Sequence, residues 1–127
     1  MTETLFVYVA HGPWEADYAR HVHSQLRYFG MVGNNRALED HDDETHAGAR
    51  MDAANAEADQ DISEAHAVLV LVGKHGGGEA LCEAARALMM GKRVVWLGPT
   101  TRTAFRQGVT RVGTLDEAFV ELRSARK

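Results

Sequence analysis

No apolar run in these 127 residues approaches the roughly 20 that a bilayer-spanning helix needs. Cysteine is nearly absent: Cys82 stands alone, which excludes an internal disulfide. The N-terminus runs into a strand-like segment instead of a basic, apolar leader, so a reducing cytoplasm is the expected compartment. Neither sign of charge dominates, with 14 Lys and Arg against 18 Asp and Glu and a net charge of -4. Such a chain has no strong field to draw a polyanion, which argues against nucleic acid and against an anionic membrane as partners. Internal repeats, low-complexity tracts and interdomain linkers are also missing. No Gly-Lys-Ser/Thr follows Gly76, Gly77 and Gly78, so the glycine loop is not a Walker-type phosphate loop. The cluster His41, Asp42, Asp43, Glu44 and His46 lacks a fixed ligand spacing such as H-E-x-x-H and reads as a solvated loop, so no metal is expected.

What the chain does have is alternation. It is 45% hydrophobic and 25% charged, long enough for one core over residues 1–127 and too short for two. Leu5 to Ala10 is a β-rich run that Gly12-Pro13 stops. Ala19, Val22, Leu26 and Phe29 then recur at helical spacing, with Gly30 where a C-terminal cap is expected. Residues 31–38 hold a short strand, and Met51, Ala54, Ala58, Ile62 and Ala65 mark a second helix. The aliphatic run Val68 to Val72 is a strand, and Ala80, Leu81, Ala84 and Leu88 mark a third helix that Gly91 closes. Arg93 to Leu97 and Val109 to Val112 are further strands, and Thr114 with Glu117 predicts a capping box on a last helix. The expected fold is a single-domain α/β, flavodoxin-like or Rossmann-like parallel sheet of four or five strands in the order 2-1-3-4-5, with helices on both faces.

In such a sheet, ligands bind beyond the carboxyl ends of the strands. The Val68 strand leads there into Gly76-Gly77-Gly78, whose missing side chains let backbone approach a ligand, and then into a helix carrying Glu79 and Glu83. A carboxylate near a helix start is kept ionised by the dipole, as a nucleophile or electrostatic stabiliser requires; the competing reading is simple compensation of that dipole. In the 2-1-3-4-5 order, the first strand neighbours the third. Tyr8, Ala10, His11, Gly12 and Trp14 are therefore expected at the same crevice, with Tyr8 otherwise a buried strand residue and Trp14 otherwise a hydrophobic staple. Asp59 and Asp61, on the helix feeding the Val68 strand, are either substrate contacts or a solvated face. Cys82 has no neighbouring His or second Cys in sequence to make it a nucleophile.

Taken in order, these pieces resemble the nucleoside 2-deoxyribosyltransferase-like superfamily, which includes nucleoside monophosphate N-glycosidases and small phage and bacterial relatives. Tyr8-Val9-Ala10 is similar to its opening Tyr-Leu-Ala, Asp61-Ile62-Ser63-Glu64-Ala65-His66 to its Asp-Ile-x-x-Ala-Asp, and Glu83-Ala84-Ala85-Arg86-Ala87 to its Glu-x-Gly-x-Ala. Gly91-Lys92-Arg93-Val94 and Gly98-Pro99 fall at the family's distances, and Arg36-Ala37-Leu38 resembles an Arg-Trp-Leu element of the phage-type branch. His66 stands where relatives carry aspartate, Ala85 where they carry glycine, and Gly77 where they place a substrate-touching aspartate or serine. The resemblance implies cleavage or exchange of the N-glycosidic bond of a (deoxy)nucleoside or nucleoside 5′-monophosphate. Glu83 would be the nucleophile, Tyr8 its hydrogen-bonding orienter, and Asp59 or Asp61 a contact to sugar or base. It implies no cofactor, a small-molecule nucleoside or nucleotide as partner, and a homo-oligomer that completes its sites across subunits. Two other expectations remain open beside it: a nucleotide-binding or regulatory protein of the same fold without turnover, and a flavin-binding electron carrier.

Overall fold

The computed structural model describes residues 4–12, 15–36, 38, 57–72, 78–98 and 108–124. Five strands form one parallel sheet: β1 (Leu5–Ala10), β2 (Met31–Gly33), β3 (Ala67–Leu71), β4 (Arg93–Leu97) and β5 (Val109–Val112). Their spatial order is β2-β1-β3-β4-β5, with Val7 opposite Ala67, Ala67 opposite Arg93, and Val94 opposite Val109. This is the expected 2-1-3-4-5 order. The helices are α1 (Ala16–Leu26), α2 (helical over 57–64), α3 (Gly78–Met89) and α4 (Leu115–Arg123). None is long and apolar enough to cross a membrane, among the described residues.

Alternation along each strand divides the core in two. Val7, Val9, Leu69, Leu71 and Val95 point to one face, where Ala19, Val22 and Leu26 of α1 and Phe119 and Leu122 of α4 cover them. Tyr8, Ala10, Val68, Val70, Val94 and Trp96 point to the other, beneath Ala58, Ile62 and Ala65 from α2 and its exit and Ala80, Ala84 and Ala87 of α3. The central strand β3 is buried on both faces, which is why its sequence runs apolar without a break.

The helix ends follow local chemistry. After Leu26 the chain tightens into a 3-10 turn over Arg27–Phe29, so the helix anticipated through Phe29 is α-helical only to Leu26. Gly30 then takes a left-handed φ of 76°, which a side chain would strain, and turns the chain into β2. At α4, Thr114 accepts from the Glu117 amide while Glu117 reaches back to the Thr114 amide, closing the anticipated capping box. The C-terminal end of α2 is held by Lys92, whose Nζ donates to the carbonyls of Ser63 and Ala65 at 2.8 and 2.9 Å.

β2 is only three residues long, too short to satisfy β1 along its whole edge. Asn35 takes over where it stops. The side-chain amide donates to the Val9 carbonyl at 2.6 Å and accepts from the Val9 amide at 2.8 Å, as a strand neighbour would. His23 Nε2 lies 3.0 Å from the same Asn35 oxygen, and its ring covers Gly33 so closely that a Cβ there would collide with it. This network stiffens β1 just before the strand delivers Ala10, His11 and Gly12 to the carboxyl end of the sheet.

Candidate active site

Tyr8 is the one titratable side chain that β1 turns toward the α2 and α3 face, and it is buried there. Its hydroxyl donates to Glu83 Oε2 at 2.7 Å, a bond across 75 residues of sequence. The short distance is that of a charge-assisted hydrogen bond from phenol to carboxylate. Burial first, then the charge of Glu83 and the hydrogen bond to it, and then the charge of Asp61, push the phenol well above its ordinary value; Arg86 pulls it back. Tyr8 is thus a donor throughout the range in which carboxylates are ionised. It cannot act as a base.

Glu83 is the sixth residue of α3, in the second turn. The dipole acts mainly within the first turn, so its contribution is smaller than the sequence spacing suggested. The Tyr8 hydroxyl is the nearer and more directional support. Ala84 and Ala87 on the same helix are fully buried and have almost no side chain, which lets α3 lie close to β1 and β3 and brings Glu83 within reach of Tyr8.

The two aspartates, two positions apart on α2, meet different fates. Asp59 is half exposed and pairs with Arg86 at 3.2 Å, joining α2 to α3 one turn beyond Glu83. Asp61 is 2% exposed. Its Oδ1 accepts from Arg36 Nε at 2.6 Å and its Oδ2 from the Arg36 backbone amide at 3.0 Å, while its own carbonyl accepts from Asn34 Nδ2 at 2.9 Å. Asp61 thereby clamps the segment after β2 onto α2, and the same hydrogen bond and charge hold Arg36 protonated more firmly than usual. A cavity of about 200 Å³ lies beside this clamp, bordered by Asn34, Arg36 and Glu64.

Of the other anticipated site residues, Ala10 ends β1 and is fully buried. His11 Nδ1 lies 2.8 Å from the Gly12 carbonyl, which also accepts from the Glu15 amide at 3.1 Å. Gly78 opens α3. Trp14, Gly76 and Gly77 lie outside the described residues, as do the side chain of Glu79 and the acidic, histidine-containing stretch from His41 to His46. No group of three potential metal ligands occurs among the described residues. His66, the departure from the family's aspartate, precedes β3 at the opposite end of the strands. Its Nδ1 accepts from the Phe6 amide at 3.0 Å, a backbone-pinning bond remote from Glu83.

Sequence reasoning passed over three side chains that shape this region. Asn35 and His23 carried no pattern, since a lone Asn after a strand usually signals a turn. Arg86 was legible only as the residue three beyond Glu83, on the same helix face.

No protein-family model and no curated protein matches the sequence. Solved structures do match. The 2-deoxyribosyltransferase of the psychrotolerant bacterium Bacillus psychrosaccharolyticus superposes with a TM-score of 0.72 at 14% identity, over 92% of this chain and 95% of that one. The chain shares the fold of that enzyme. The CMP N-glycosidase BcmB of Clostridium botulinum superposes with a TM-score of 0.65 at 15% identity, over 93% of this chain and 98% of its own. Near-complete coverage both ways means that the whole sheet and its helices correspond, so the resemblance seen in the sequence motifs extends to the architecture that carries them.

Proposed function

We propose that this protein is an enzyme that cleaves or exchanges the N-glycosidic bond of a (deoxy)nucleoside or nucleoside 5′-monophosphate, with Glu83 as nucleophile and Tyr8 as its orienter. The hydrogen bond from Tyr8 to Glu83 Oε2 carries the reading. It fixes the direction of the carboxylate, and a phenol that cannot ionise near neutral pH does not repel the developing negative charge of a leaving base. The proposed sequence has two halves. A Glu83 carboxylate oxygen bonds to the anomeric carbon as the carbon–nitrogen bond breaks, and the bonding pair departs with the base, which is protonated from solvent. Water or a second base then attacks the same carbon and returns the carboxylate. An oxocarbenium-like centre forms in each half, and the adjacent carboxylate stabilises it. Both structural neighbours, a transferase and an N-glycosidase acting on such bonds, support this class of chemistry. The reading also expects a homo-oligomer in a cytoplasmic setting, with Trp14, Gly76 and Gly77 beside the substrate.

Incubating the protein with a panel of nucleosides and monophosphates, with and without a free acceptor base, and separating the products by chromatography tests both hydrolysis and exchange. Glu83→Gln keeps size and hydrogen bonding but removes the charge, so ligand binding survives while turnover falls at least about a hundredfold. Normal turnover in Glu83→Gln overturns the mechanism. A second reading, a nucleotide-binding protein without turnover, draws support from Asp61, whose two oxygens are both engaged by Arg36 rather than open to a sugar. Binding without base release selects it.

A further inference from the structure

Three residues after Glu83, and so on the same face of α3, stands a cation that the proposed mechanism does not use. Arg86 Nη1 reaches across to Asp59 Oδ1 of α2 at 3.2 Å, with the two side chains 36% and 51% exposed. As a clasp between helices such a pair adds little to stability, because water screens it and both side chains must be ordered to make it. Its orientation matters more. Beyond burial, the charges acting on the Tyr8 hydroxyl are those of Glu83 and Asp61, which raise its pKa, and that of Arg86, which lowers it. That hydroxyl is 2.7 Å from Glu83 Oε2, so a charge felt at one is felt at the other. The positive end of the Asp59–Arg86 pair therefore acts on the Tyr8–Glu83 centre.

The centre needs such a cation. Asp61 is buried close enough for its charge to reach the same hydroxyl, and a like charge nearby drives a carboxylate toward its neutral form. Arg36, bonded to Asp61 at 2.6 Å, offsets that charge at Asp61 itself. The helix dipole has faded by the second turn of α3. A protonated Glu83 could not attack an anomeric carbon. We propose that Arg86 is a positioning residue of this site: anchored by Asp59, its guanidinium holds Glu83 as the ionised partner of the Tyr8 hydroxyl. The charged groups gathered here thus include Tyr8 from β1, Asp61 from α2 with Arg36 bonded to it, and Arg86 from α3 with Asp59 bonded to it. Asp59, which the sequence offered as a contact to sugar or base, acts instead through Arg86. The inference rests on the proposed reading of Glu83 as the nucleophile.

The test needs no turnover. The whole chain is isotope-labelled at the glutamate carboxyl carbons, the Glu83 resonance is assigned by its loss in Glu83→Gln, and its titration midpoint is followed by NMR as the pH falls. Arg86→Gln is expected to raise that midpoint by at least about half a pH unit, less than a fully buried opposite charge produces because Arg86 is partly exposed. Arg86→Lys restores part of the difference, since it restores the charge. An unchanged midpoint, or one moved as far by Arg86→Lys as by Arg86→Gln, overturns the proposal. Should Arg86→Gln not fold, Arg86→Met, which keeps the aliphatic stem and suits a helix, is read in its place. With a substrate in hand, the acid limb of kcat/KM in Arg86→Gln moves up with the midpoint while the plateau at higher pH keeps most of its height; a loss uniform across pH marks a merely structural residue and overturns the proposal. A midpoint that shifts as expected, without base release from any nucleoside or nucleotide tried on the unmodified protein, fails the glycosyl reading and keeps the coupling of Arg86 to Glu83. Base release with an unshifted midpoint does the reverse.

Discussion

The two faces of the sheet are built from different materials. On the α1 and α4 side the covering residues include Val22, Leu26, Phe119 and Leu122, with the Phe119 ring 4.8 Å from Phe29. On the α2 and α3 side the fully buried cover among the described residues is Ala58, Ala65, Ala80, Ala84 and Ala87 with Ile62, while Leu81 and Leu88 pack part-buried at its margin and much of the bulk comes from the sheet as Tyr8 and Trp96. Large side chains on helices stabilise by filling space; alanines let helices approach the sheet until polar groups on both can meet. One face is built to hold the fold, the other to hold Tyr8 against Glu83.

That contrast is breakable. The largest effect is expected from Phe119→Ala, which empties a well-packed site and should cost about 3–5 kcal/mol in urea denaturation while leaving base release per folded molecule unchanged. A loss of turnover equal to that of an active-site variant would show that the two faces are not separable. Ala84→Leu is the reverse operation: overpacking the alanine face should cost about 1–3 kcal/mol and, unlike Phe119→Ala, lower turnover by lifting α3 and Glu83 away from Tyr8. Undiminished activity in a folded Ala84→Leu protein would mean that close approach of α3 is not what sets the pair.

Alkaline titration sharpens the comparison further. Tyr8 keeps its proton far more tightly when folded than when unfolded, so above about pH 10 the unfolded chain releases a proton that the folded chain retains. This favours unfolding only above that pH, by up to about 1.4 kcal/mol for each further pH unit. Tyr8→Phe abolishes the effect. The stability difference between the two proteins, measured by urea midpoints, should therefore be constant below about pH 10 and shift toward the variant above it; parallel curves through pH 11 would contradict a buried, carboxylate-bound phenol. The smallest effect is expected at Thr114→Ala, which removes one side of the α4 capping box at a cost of about 1 kcal/mol and leaves the α2 and α3 face untouched.

Most of the fold was legible from short-range pattern. The boundaries of β1, β4 and β5 coincide with runs visible by eye, Gly30 and Gly91 turn the chain with positive φ after their helices, and Thr114 and Glu117 form the box their spacing announces. The candidate site was legible in part. Tyr8 and Glu83 were both singled out, and their meeting followed from placing β1 beside β3. The roles of Asp59 and Asp61 were not separable, because two adjacent steps on a helix differ by about 200° of rotation and only packing against the sheet says which side turns inward. Asp61 went inside to Arg36 and Asp59 outside to Arg86.

Periodicity, caps and glycine turns depend on residues a few positions apart, so the sequence by itself determined which elements form and, through their alternation, a parallel sheet covered on both sides. Tertiary structure alone decided which distant polar atoms meet. The Asn35 amide stands in for a missing strand at Val9, and His66 anchors the start of β3 instead of serving the site. Each of these outcomes rests on ångström-scale placement of side chains separated by tens of residues or by the thickness of the sheet. Hydrogen bonds are decided at that scale, and no local pattern encodes it.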